Sequence, residues 1–281
     1  MIRIAPAYEE QYLEVTRPKP LSDNRIEQLQ LDVLNGKVDK DVTDNVYNDF
    51  KDLASNWIFS TKINTFAGID TFPRVDIING CTQFIDNIYM QGPVQTLAGD
   101  YRYHERLKLA YIKDVGSLIP DVPLIIAMPF PQIGAPHIDI EEILNEAYTK
   151  HIDVHIDGAW ITCCRNVNFN FCHPAIRSVG ISLSKGLGLG WNRIGLRWTK
   201  ETKADSISIM NDFNMNNRAL SIIGLYFIRN LPADYLWNTY GHIYEKVCND
   251  FNLEKTNSIH LALRNGQPVG ISPLIRYVAE Q

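Results

Sequence analysis

A strand–helix–strand pattern at residues 124–157 constrains the fold more than any other feature of this sequence. Leu124 to Met128 form a short, continuous apolar run, which is typical of a strand buried on both faces. Asp139 and Glu142 then have the spacing of a capping box, so we expect a helix to begin there. Ile152 to Asp157 form a second strand candidate. Two strands joined by a helix in this way imply a parallel sheet, and therefore an α/β fold.

Further elements are predicted on both sides of this unit. Ser178 to Ser184 and Arg193 to Trp198 are predicted to be strands, because both runs are rich in apolar residues. Residues 205–250 have a mostly helical pattern, and Ile259 to Leu263 form a last, short strand candidate. The region after residue 200 therefore differs in character from the region before it.

The first part of the chain is predicted to be helical and polar. Ser22 or Asp23 is placed to cap a helix that ends at Asn35-Gly36. A second helix is expected to follow Asp41 and to bury Phe50. These changes of pattern divide the chain into residues 1–60, a helical arm or part of a small domain, residues 61–200, a large domain, and residues 201–281, a C-terminal small domain.

Composition excludes several classes of protein. Apolar residues make up 45% of the chain and charged residues 21%, as in ordinary globular proteins. The net charge is −5, so no basic excess is available to bind nucleic-acid phosphates. No stretch reaches about 18 consecutive apolar residues, and the N-terminus lacks the apolar core of a signal peptide. We therefore expect a soluble, cytoplasmic protein with neither a nucleic-acid nor a membrane partner.

The cysteines indicate a reducing compartment. There are five of them: Cys81, Cys163, Cys164, Cys172 and Cys248. An odd number without framework spacing favours free thiols. A metal site would have to combine Cys163, Cys164, Cys172 and His173, but adjacent cysteines chelate a single ion poorly and the sequence has no C-x-x-C motif. We therefore expect no metal, and we expect the cysteines to be small buried hydrophobic residues.

A carboxylate and a lysine mark the most promising site. Asp157 ends a buried strand, and ligands in α/β sheets bind outside the carboxyl ends of the strands. It either serves such a ligand or caps the following turn. Lys185 precedes a run of glycines, whereas in a P-loop the lysine follows them, and a Rossmann loop must open a helix rather than a strand. The interpretations that remain are a Schiff-base lysine, favoured by desolvation, and a solvated turn lysine.

An anion site is predicted next to these two residues. Arg193 lies eight residues after Lys185, where it could turn back and bind an anion with two hydrogen bonds. Upstream, the segment Asn79-Gly80-Cys81-Thr82-Gln83 precedes apolar residues with helical spacing. A glycine turn that opens a helix offers free N–H groups and the positive end of a dipole, which suits a phosphate.

The order and spacing of these residues resemble the fold type I pyridoxal-phosphate enzymes, in their aspartate aminotransferase-like branch. That family has Asp-x-Ala-Tyr, then Ser-x-x-Lys, then an Arg eight residues later followed by x-Gly. This chain has Asp157-Gly158-Ala159-Trp160, Ser182-Leu183-Ser184-Lys185 and Arg193-Ile194-Gly195. The resemblance covers roughly residues 65–200. It implies a three-layer α/β/α large domain with a mostly parallel sheet, plus a reduced α+β small domain.

The resemblance also implies a role for each matched residue. Lys185 would form the Schiff base with pyridoxal phosphate and later move the Cα proton. Asp157 would pair with the protonated pyridine nitrogen and keep the ring an electron sink. The phosphate would be held by Ser182, Arg193 and the backbone of Gly80, Cys81 and Thr82.

The segment Tyr101-Arg102-Tyr103-His104 is similar to the aromatic-x-x-His segment of the same family. The resemblance implies that Tyr101 stacks on the cofactor ring and that His104 supports Asp157 from behind. The alternative for Tyr101 is an ordinary, half-buried aromatic residue, since aromatic faces are common packing material.

Three departures from the family pattern concern the chemistry. Trp160 replaces a tyrosine that contacts the phenolic oxygen of the cofactor, and an indole donates a hydrogen bond but does not titrate as a phenol does. Phe130-Pro131-Gln132-Ile133-Gly134 stands where the family has Asn-Pro-x-Gly, with Gln132 as the candidate replacement for Asn. The C-terminal part is short, so Arg276, with Arg264 as a second choice, is the candidate to bind the substrate carboxylate.

The implied function is an aminotransferase that moves an amino group between an amino acid and a 2-oxo acid. A lyase, decarboxylase or racemase would use the same electron sink, and a shrunken relative could bind the cofactor without turnover. Active sites of this family usually lie at a dimer interface, so the resemblance also implies a homodimer.

Overall fold

The computed structural model of the protein describes residues 19–38, 44–201 and 204–280. The strands are β1 (Thr65–Ala67), β2 (Arg74–Ile78), β3 (Val94–Leu97), β4 (Ala110–Lys113), β5 (Leu124–Ala127), β6 (Val154–Asp157), β7 (Asn168–Asn170), β8 (Ile176–Ser182), β9 (Gly195–Thr199), β10 (Glu254–Lys255), β11 (Leu261–Arg264) and β12 (Gln267–Gly270). The helices are α1 (Asn24–Leu34), α2 (Val46–Phe59), α3 (Cys81–Tyr89), α4 (Arg102–Leu107), α5 (Ile140–Thr149), α6 (Ser206–Asp212), α7 (Arg218–Asn230), α8 (Tyr235–Asp250) and α9 (Ser272–Ala279).

A seven-stranded sheet forms the centre of the molecule. Its strand order is β2-β9-β8-β6-β5-β3-β4. The five strands from β8 to β4 are parallel, and β9 is antiparallel to both of its neighbours. The mostly parallel sheet predicted from the strand–helix–strand pattern is therefore confirmed, with β5, α5 and β6 as that unit.

Apolar side chains cover both faces of this sheet. Leu124 and Ile126 belong to a core cluster shared with α5, whereas Ile125, between them in sequence, belongs to a second cluster with α3 and α6. Alternate residues of a strand point to opposite faces, so a strand buried on both faces needs the continuous apolar run seen here. Helices on both faces of a mostly parallel sheet give the predicted α/β architecture.

Of the two predicted helix caps, the one at Asp23 is present in the structure and the one at Asp139 is not. Asp23 has extended backbone angles and accepts a hydrogen bond from the Ile26 amide at 2.7 Å, and α1 ends before Asn35-Gly36 as predicted. Asp139 precedes α5, but its side chain accepts no hydrogen bond from the helix, so the predicted capping box is wrong. The backbone of Asp139, at φ −99° and ψ 25°, lacks the extended conformation that aims a capping side chain at the helix.

Other predicted boundaries shift as well. The strand predicted for Ser178 to Ser184 is β8, at Ile176–Ser182, and the one predicted for Arg193 to Trp198 is β9, at Gly195–Thr199. The second helix begins at Val46 and buries Phe50 as expected, while Asp41, the predicted start, lies outside the described residues. The last strand candidate forms β11 two residues later than predicted and pairs with β10 and β12 in a small antiparallel sheet. The mostly helical pattern predicted for residues 205–250 is confirmed by α6, α7 and α8.

The first and last parts of the chain pack together. Helix α2 packs along α7, and Asp23 accepts hydrogen bonds from the hydroxyls of Tyr235 and Tyr240, both at 2.6 Å. Helix α6 instead lies against the central sheet, where Asn211 bonds to the backbone of Ile77. The division into residues 1–60, 61–200 and 201–281 stays a prediction.

The described part of the chain also bears on the membrane and cysteine expectations. None of its helices has the length and apolar character needed to span a lipid bilayer. All five cysteines are free thiols, as predicted, and four are buried, but Cys172 is exposed. Within residues 19–38, 44–201 and 204–280, no group of three or more His, Cys, Asp or Glu is arranged to hold a metal ion.

Candidate active site

Three neighbouring strands end at the same edge of the central sheet. Strands β5, β6 and β8 are parallel and hydrogen-bonded in that order, and they end at Ala127, Asp157 and Ser182. The carboxyl edge of such a sheet is where α/β proteins bind ligands. The topology therefore brings Asp157 and Ser182 together, as the sequence predicted for a site at this edge.

Asp157 is a buried carboxylate surrounded by groups that favour its ionised form. Only 4% of the residue is exposed, and the Ala159 amide donates to its Oδ1 at 3.1 Å. Burial raises the pKa of Asp157, whereas the Cys81 thiol, the Ala159 amide and the charges of Lys185 and Arg193 lower it. Burial wins, so the pKa of Asp157 lies above its usual value. A cationic ligand at this carboxylate would relieve the cost of its burial.

Lys185 lies in the same site. Its charge acts on Asp157, and its Nζ lies 5.2 Å from the centre of the Trp160 ring. Its backbone carbonyl accepts a hydrogen bond from Nε2 of His260 at 3.1 Å. The side chain is half-buried, so its amino group combines partial desolvation with access from the carboxyl edge.

An anion cradle forms where α3 begins. Gly80 precedes the helix with φ +76° and ψ 170°, and Arg193 donates to Thr82 Oγ1 at 2.6 Å. A Cβ on Gly80 would lie 3.3 Å from Nη2 of Arg193 and 3.4 Å from Oγ of Ser182. Ser182 in turn contacts Ser184, with their hydroxyls 3.0 Å apart. The helix N-terminus, a guanidinium and three hydroxyls therefore converge on one small space.

Cys81 lies between the cradle and the carboxylate. It is the first residue of α3, and its thiol donates to the Gly180 carbonyl at 3.3 Å. The same thiol is close enough to hydrogen-bond to Asp157, and burial together with that carboxylate raises the pKa of Cys81 well above its ordinary value. The thiol therefore stays protonated, and its single hydrogen can be donated either to the Gly180 carbonyl or to Asp157.

The aromatic residues near α4 form a small stack. Tyr101 is 37% exposed, and its ring lies parallel to that of Tyr103 with centroids 5.8 Å apart. The Tyr103 hydroxyl donates to Asp86 at 2.6 Å, and the charge of Arg193 acts on Tyr103. Tyr101 therefore presents an aromatic face on the side of the site that holds Arg193.

The predicted support of Asp157 by His104 is corrected by the structure. Nδ1 of His104 bonds to the Tyr89 hydroxyl at 2.7 Å, and Nε2 is buried with no hydrogen-bond partner among the described residues. Burial lowers the pKa of His104 to about 4, so the ring is neutral. The contacts that the prediction gave to His104 come instead from Cys81 and Ala159.

A second buried carboxyl group, Asp100, was missed by the sequence analysis. It accepts hydrogen bonds from the Tyr101 amide at 2.5 Å, the Ala127 amide at 3.0 Å and the Thr96 hydroxyl at 3.3 Å. Burial raises the pKa of Asp100 to about 7, and the negative charge of Asp157 adds to the effect. Following Gly99 in sequence, Asp100 has the pattern of an ordinary turn residue, so only the tertiary structure shows its burial.

Trp160 and Gln132, which depart from the family pattern, have different surroundings in the structure. Trp160 faces the amino group of Lys185, while its predicted place beside the phenolic oxygen of the cofactor stays a prediction. Gln132 is exposed and lies beside Gly99, with its Nε2 3.6 Å from the position of a Cβ there.

Arg276 does not contact the site formed by Lys185. It lies on α9, where Nη1 contacts Glu27 at 2.6 Å and Nε contacts Glu280 at 3.0 Å. Its side chain is 40% exposed, and its guanidinium already contacts two carboxylates. Arg264, the second choice, is exposed at the end of β11. The predicted substrate-binding role of Arg276 stays a prediction.

Comparison with known proteins identifies solved structures that have a similar fold. No family model matches the sequence, and no curated protein matches it. Aspartate aminotransferase from Thermotoga maritima is similar in structure, with a TM-score of 0.59 and 14% identity over 89% of this chain and 75% of that chain. Alanine aminotransferase from Pyrococcus furiosus has a TM-score of 0.59 and 13% identity, covering 91% and 78%. Histidinol-phosphate aminotransferase from Clostridium acetobutylicum has 0.56 and 12%, covering 88% and 80%.

These likenesses concern the fold. At 12–14% identity they show that this chain has the backbone arrangement of the aminotransferases named above. The resemblance to fold type I enzymes of the aspartate aminotransferase-like branch, based on short motifs, is therefore confirmed at the level of the fold.

Proposed function

We propose that this protein is a pyridoxal-phosphate-dependent aminotransferase that moves an amino group between an amino acid and a 2-oxo acid. The observation that carries the proposal is the convergence of Asp157, Lys185 and Arg193 on one edge of the sheet, where the charges of the lysine and the arginine both act on the carboxylate. Few ligands need a carboxylate, an amine and an anion cradle at once. Pyridoxal phosphate, with its ring nitrogen, aldehyde and phosphate, is such a ligand.

The anion cradle fits the phosphate group. Gly80 leaves open the space that a Cβ would fill beside Arg193 and Ser182, and the first N–H groups of α3 point toward it. Arg193 and the hydroxyls of Ser182 and Thr82 would then hold the phosphate by charge-assisted hydrogen bonds. The positive end of the α3 dipole adds to the attraction.

Asp157 fits the opposite end of the cofactor. A buried carboxylate with a raised pKa gains most from a cation, and a protonated ring nitrogen supplies one. Such a pair at about 3 Å is worth roughly 5 kcal/mol at an effective dielectric constant of ~20, before the cost of desolvation. The Cys81 thiol and the Ala159 amide would keep the carboxylate ionised and oriented.

Lys185 would supply the reacting amine. When bound, the cofactor provides the electron sink that allows a bond at the substrate Cα to break. Lys185 would hold the aldehyde carbon in the resting enzyme and, once released, move the Cα proton with its Nζ. Trp160, whose ring lies 5.2 Å from that nitrogen, would exclude water from one side of it. Tyr101 would cover the cofactor ring with its exposed face.

We also propose that the active protein is a cytoplasmic homodimer acting on small amino and oxo acids. Several large apolar side chains are open to solvent: Trp191 is 95% exposed, two residues before Arg193, and Phe213 and Met215, just after α6, are 73% and 65% exposed. Exposed apolar groups of this size commonly mark an interface. A second copy would cover them and enclose the site.

The direct test is a visible spectrum of the purified protein with added pyridoxal phosphate. We expect an absorption band that borohydride removes, with the reduced adduct located on Lys185 by peptide mass spectrometry. Lys185→Ala should bind the cofactor without forming that adduct. A protein that stays colourless, or that forms the same adduct on Lys62 and Lys200 as readily as on Lys185, would contradict the proposal.

A second experiment separates transamination from the other reactions of the same cofactor. Trp160, which stands beside Lys185 in place of the family's tyrosine, favours a lyase, decarboxylase or racemase as the alternative. The loaded protein is incubated with a panel of amino acids, with and without a 2-oxo acid. Turnover that requires the oxo acid supports an aminotransferase, turnover without it supports the alternative, and adduct formation without turnover supports a non-catalytic relative.

A further inference from the structure

The imidazole of His260 joins three segments that are far apart in the sequence. The residue precedes β11 and is fully buried. Its Nε2 lies 3.1 Å from the backbone carbonyl of Lys185, and its Nδ1 accepts a hydrogen bond from the Leu21 amide at 3.3 Å. One side chain therefore links the segment before α1, the lysine loop and the C-terminal sheet.

The hydrogen bonds determine which ring nitrogen carries the proton. The Leu21 amide can only donate, so Nδ1 of His260 has to accept. In a neutral imidazole the proton is then on Nε2, which donates it to the Lys185 carbonyl. The Ser272 hydroxyl, 3.2 Å from Nδ1, itself donates to the Lys19 carbonyl at 2.8 Å, so it leaves this assignment unchanged.

The same ring also contacts the other neighbour of the lysine side chain. The ring of Trp160 lies edge-on to His260, with centroids 6.1 Å apart and an interplanar angle of 64°. The Nζ of Lys185 lies 5.2 Å from the centre of that indole ring. His260 therefore contacts the backbone of the lysine and also the aromatic ring that faces its amino group.

We propose that His260 is a positioning residue for Lys185, holding its backbone by a hydrogen bond and its neighbouring indole by ring contact. The inference rests on the proposed function for its purpose, since a fixed amine matters most when it has to reach a carbonyl carbon. It lies outside residues 65–200, the part of the chain that carries the family resemblance. The segment before β11 thus contributes to the site through a fully buried side chain that holds the backbone of Lys185.

The expected effect is on the reactivity of the amine. Lys185 is followed by Gly186, and its side chain has four rotatable bonds, so the amine depends on its backbone for its position. A displacement of about 1 Å can cost a reaction roughly a hundredfold in rate. His260→Leu removes the donor but keeps an apolar side chain in the buried space, whereas His260→Gln keeps an N–H donor of similar reach.

The test compares His260→Leu and His260→Gln with the parent protein, and uses His242→Gln, an exposed change on α8, as the control. The first readout needs no cofactor: a short pulse of reductive methylation, with labelling of each lysine measured by peptide mass spectrometry. The second is the rate at which pyridoxal phosphate forms a borohydride-reducible adduct on Lys185. Thermal unfolding of each variant confirms that it is folded.

We expect His260→Leu to change the methylation rate of Lys185 by at least about threefold relative to the other lysines, and to slow adduct formation by roughly tenfold or more. His260→Gln should recover most of both rates, and His242→Gln should change neither. Unchanged rates in folded His260→Leu, or equal losses in His260→Leu and His260→Gln, would overturn the proposal. If the parent protein forms no adduct but the methylation difference persists, the proposed function fails while the positioning role stands.

Discussion

Two carboxyl groups, Asp100 and Asp157, are buried at the same edge of the sheet and differ in their partners. Asp157 has the charges of Lys185 and Arg193 to balance its own, while Asp100 has only backbone amides and the Thr96 hydroxyl. Because two nearby carboxylates repel each other, the one without a cation holds its proton to higher pH. Asp100 is therefore the neutral member of the pair below pH 7.

The ionisation of Asp100 predicts a pH dependence of stability. Its pKa in the folded protein is about 7, against 3.8 for an ordinary Asp, so the folded state binds more protons than the unfolded state between these values. Stability contributed by this group is therefore present at low pH and is lost as the pH rises toward 7. In Asp100→Asn, which does not titrate, that loss is absent. We expect the unfolding free energy of the parent to fall, relative to the variant, by about 2–3 kcal/mol between pH 5 and pH 8.

Urea unfolding at several pH values measures this difference. The Asn amide would also face a backbone N–H, but that penalty is independent of pH and shifts all values equally. A parent-to-variant difference that stays constant over this range would show that Asp100 is already ionised at pH 5. Adding Asp157→Asn should lower the apparent pKa of Asp100, which carbon-13 NMR of the carboxyl group detects.

The negative charge of Asp157 should affect the binding of a ligand with a ring nitrogen and not of one without it. In Asp157→Asn the Ala159 amide keeps an acceptor, but the negative charge is gone. We expect the variant to bind pyridoxal phosphate about 10- to 100-fold more weakly, a loss of roughly 1.4–2.8 kcal/mol. The carbocyclic analogue, which has no ring nitrogen, is the control, and it should bind both proteins with similar affinity. An equal loss for both ligands would mean that the substitution disturbs the whole site rather than its contact with the nitrogen.

Whether a site residue can be predicted depends on whether the sequence around it carries a local signal. Asp157, Lys185 and Arg193 are recognisable because each lies at or within three residues of a strand end and their spacing is characteristic. Asp100 and His260 carry no such local signal, since their burial and partners come from segments that meet only in the folded chain. His104 shows the opposite error: the motif suggested a contact with Asp157, but the imidazole bonds to Tyr89 and lies edge-on to the ring of Tyr101.

At the scale of elements, the start of α3 determines whether the site can hold a phosphate. Gly80 has a φ of +76° with ψ near 170°, a region nearly restricted to glycine, where another residue costs about 1–3 kcal/mol. Its missing Cβ also keeps open the space beside Arg193 and Ser182. The glycine therefore serves both the turn and the anion cradle.

Gly80→Ala should consequently weaken binding of pyridoxal phosphate by roughly tenfold or more, a loss of at least about 1.4 kcal/mol. Pyridoxal, which lacks the phosphate, should lose much less affinity, and the ratio of the two is measured by spectroscopic titration. Gly36→Ala is the matched control, because Gly36 also has a positive φ of +70° but has nothing within 4 Å of its Cβ position. If Gly36→Ala reduced phosphate binding equally, the effect would reflect general destabilisation.

The helices and strands of the structure lie close to where the sequence pattern predicted them, but several of their ends differ. Strands β5 and β6 and helices α1, α3 and α5 lie where apolar periodicity placed them. Asp139, where the predicted cap fails, and Asp23, where it forms, are the same residue type directly before a helix, but their backbone conformations differ. Whether a side chain caps a helix depends on the direction in which the preceding loop enters it, which the sequence pattern does not specify.

At the scale of the whole molecule, the first and last parts of the chain close over the lysine loop. The Gln30 amide donates to the Gly188 carbonyl at 3.2 Å, and Ile26 packs against the same glycine. His260 approaches Lys185 from the C-terminal sheet. Sequence patterns predicted separate parts at residues 1–60 and 201–281, but gave no information on their mutual packing, because those contacts join residues more than 200 positions apart.

Asp23 offers a test of this closure. Its carboxylate accepts the Ile26 amide, which caps α1, and the hydroxyls of Tyr235 and Tyr240 on α8. Asp23→Ala would remove the cap, worth about 0.5–2 kcal/mol, and would leave two tyrosine hydroxyls without their charged acceptor. We expect the unfolding free energy to fall by roughly 3 kcal/mol, whereas Asp52→Ala, an exposed change on α2, should alter it by no more than about 0.5 kcal/mol.

Hydrogen exchange shows whether the loss spreads beyond α1. If the first and last parts act as one unit, Asp23→Ala should reduce amide protection in α1 and in α8 together, and the methylation rate of Lys185 should change as well. Tyr235→Phe, which removes one of the three hydrogen bonds and keeps the cap, should produce a smaller change in both helices. Loss of protection confined to α1, with α8 and Lys185 unchanged, would mean that the two ends of the chain stabilise the lysine loop independently.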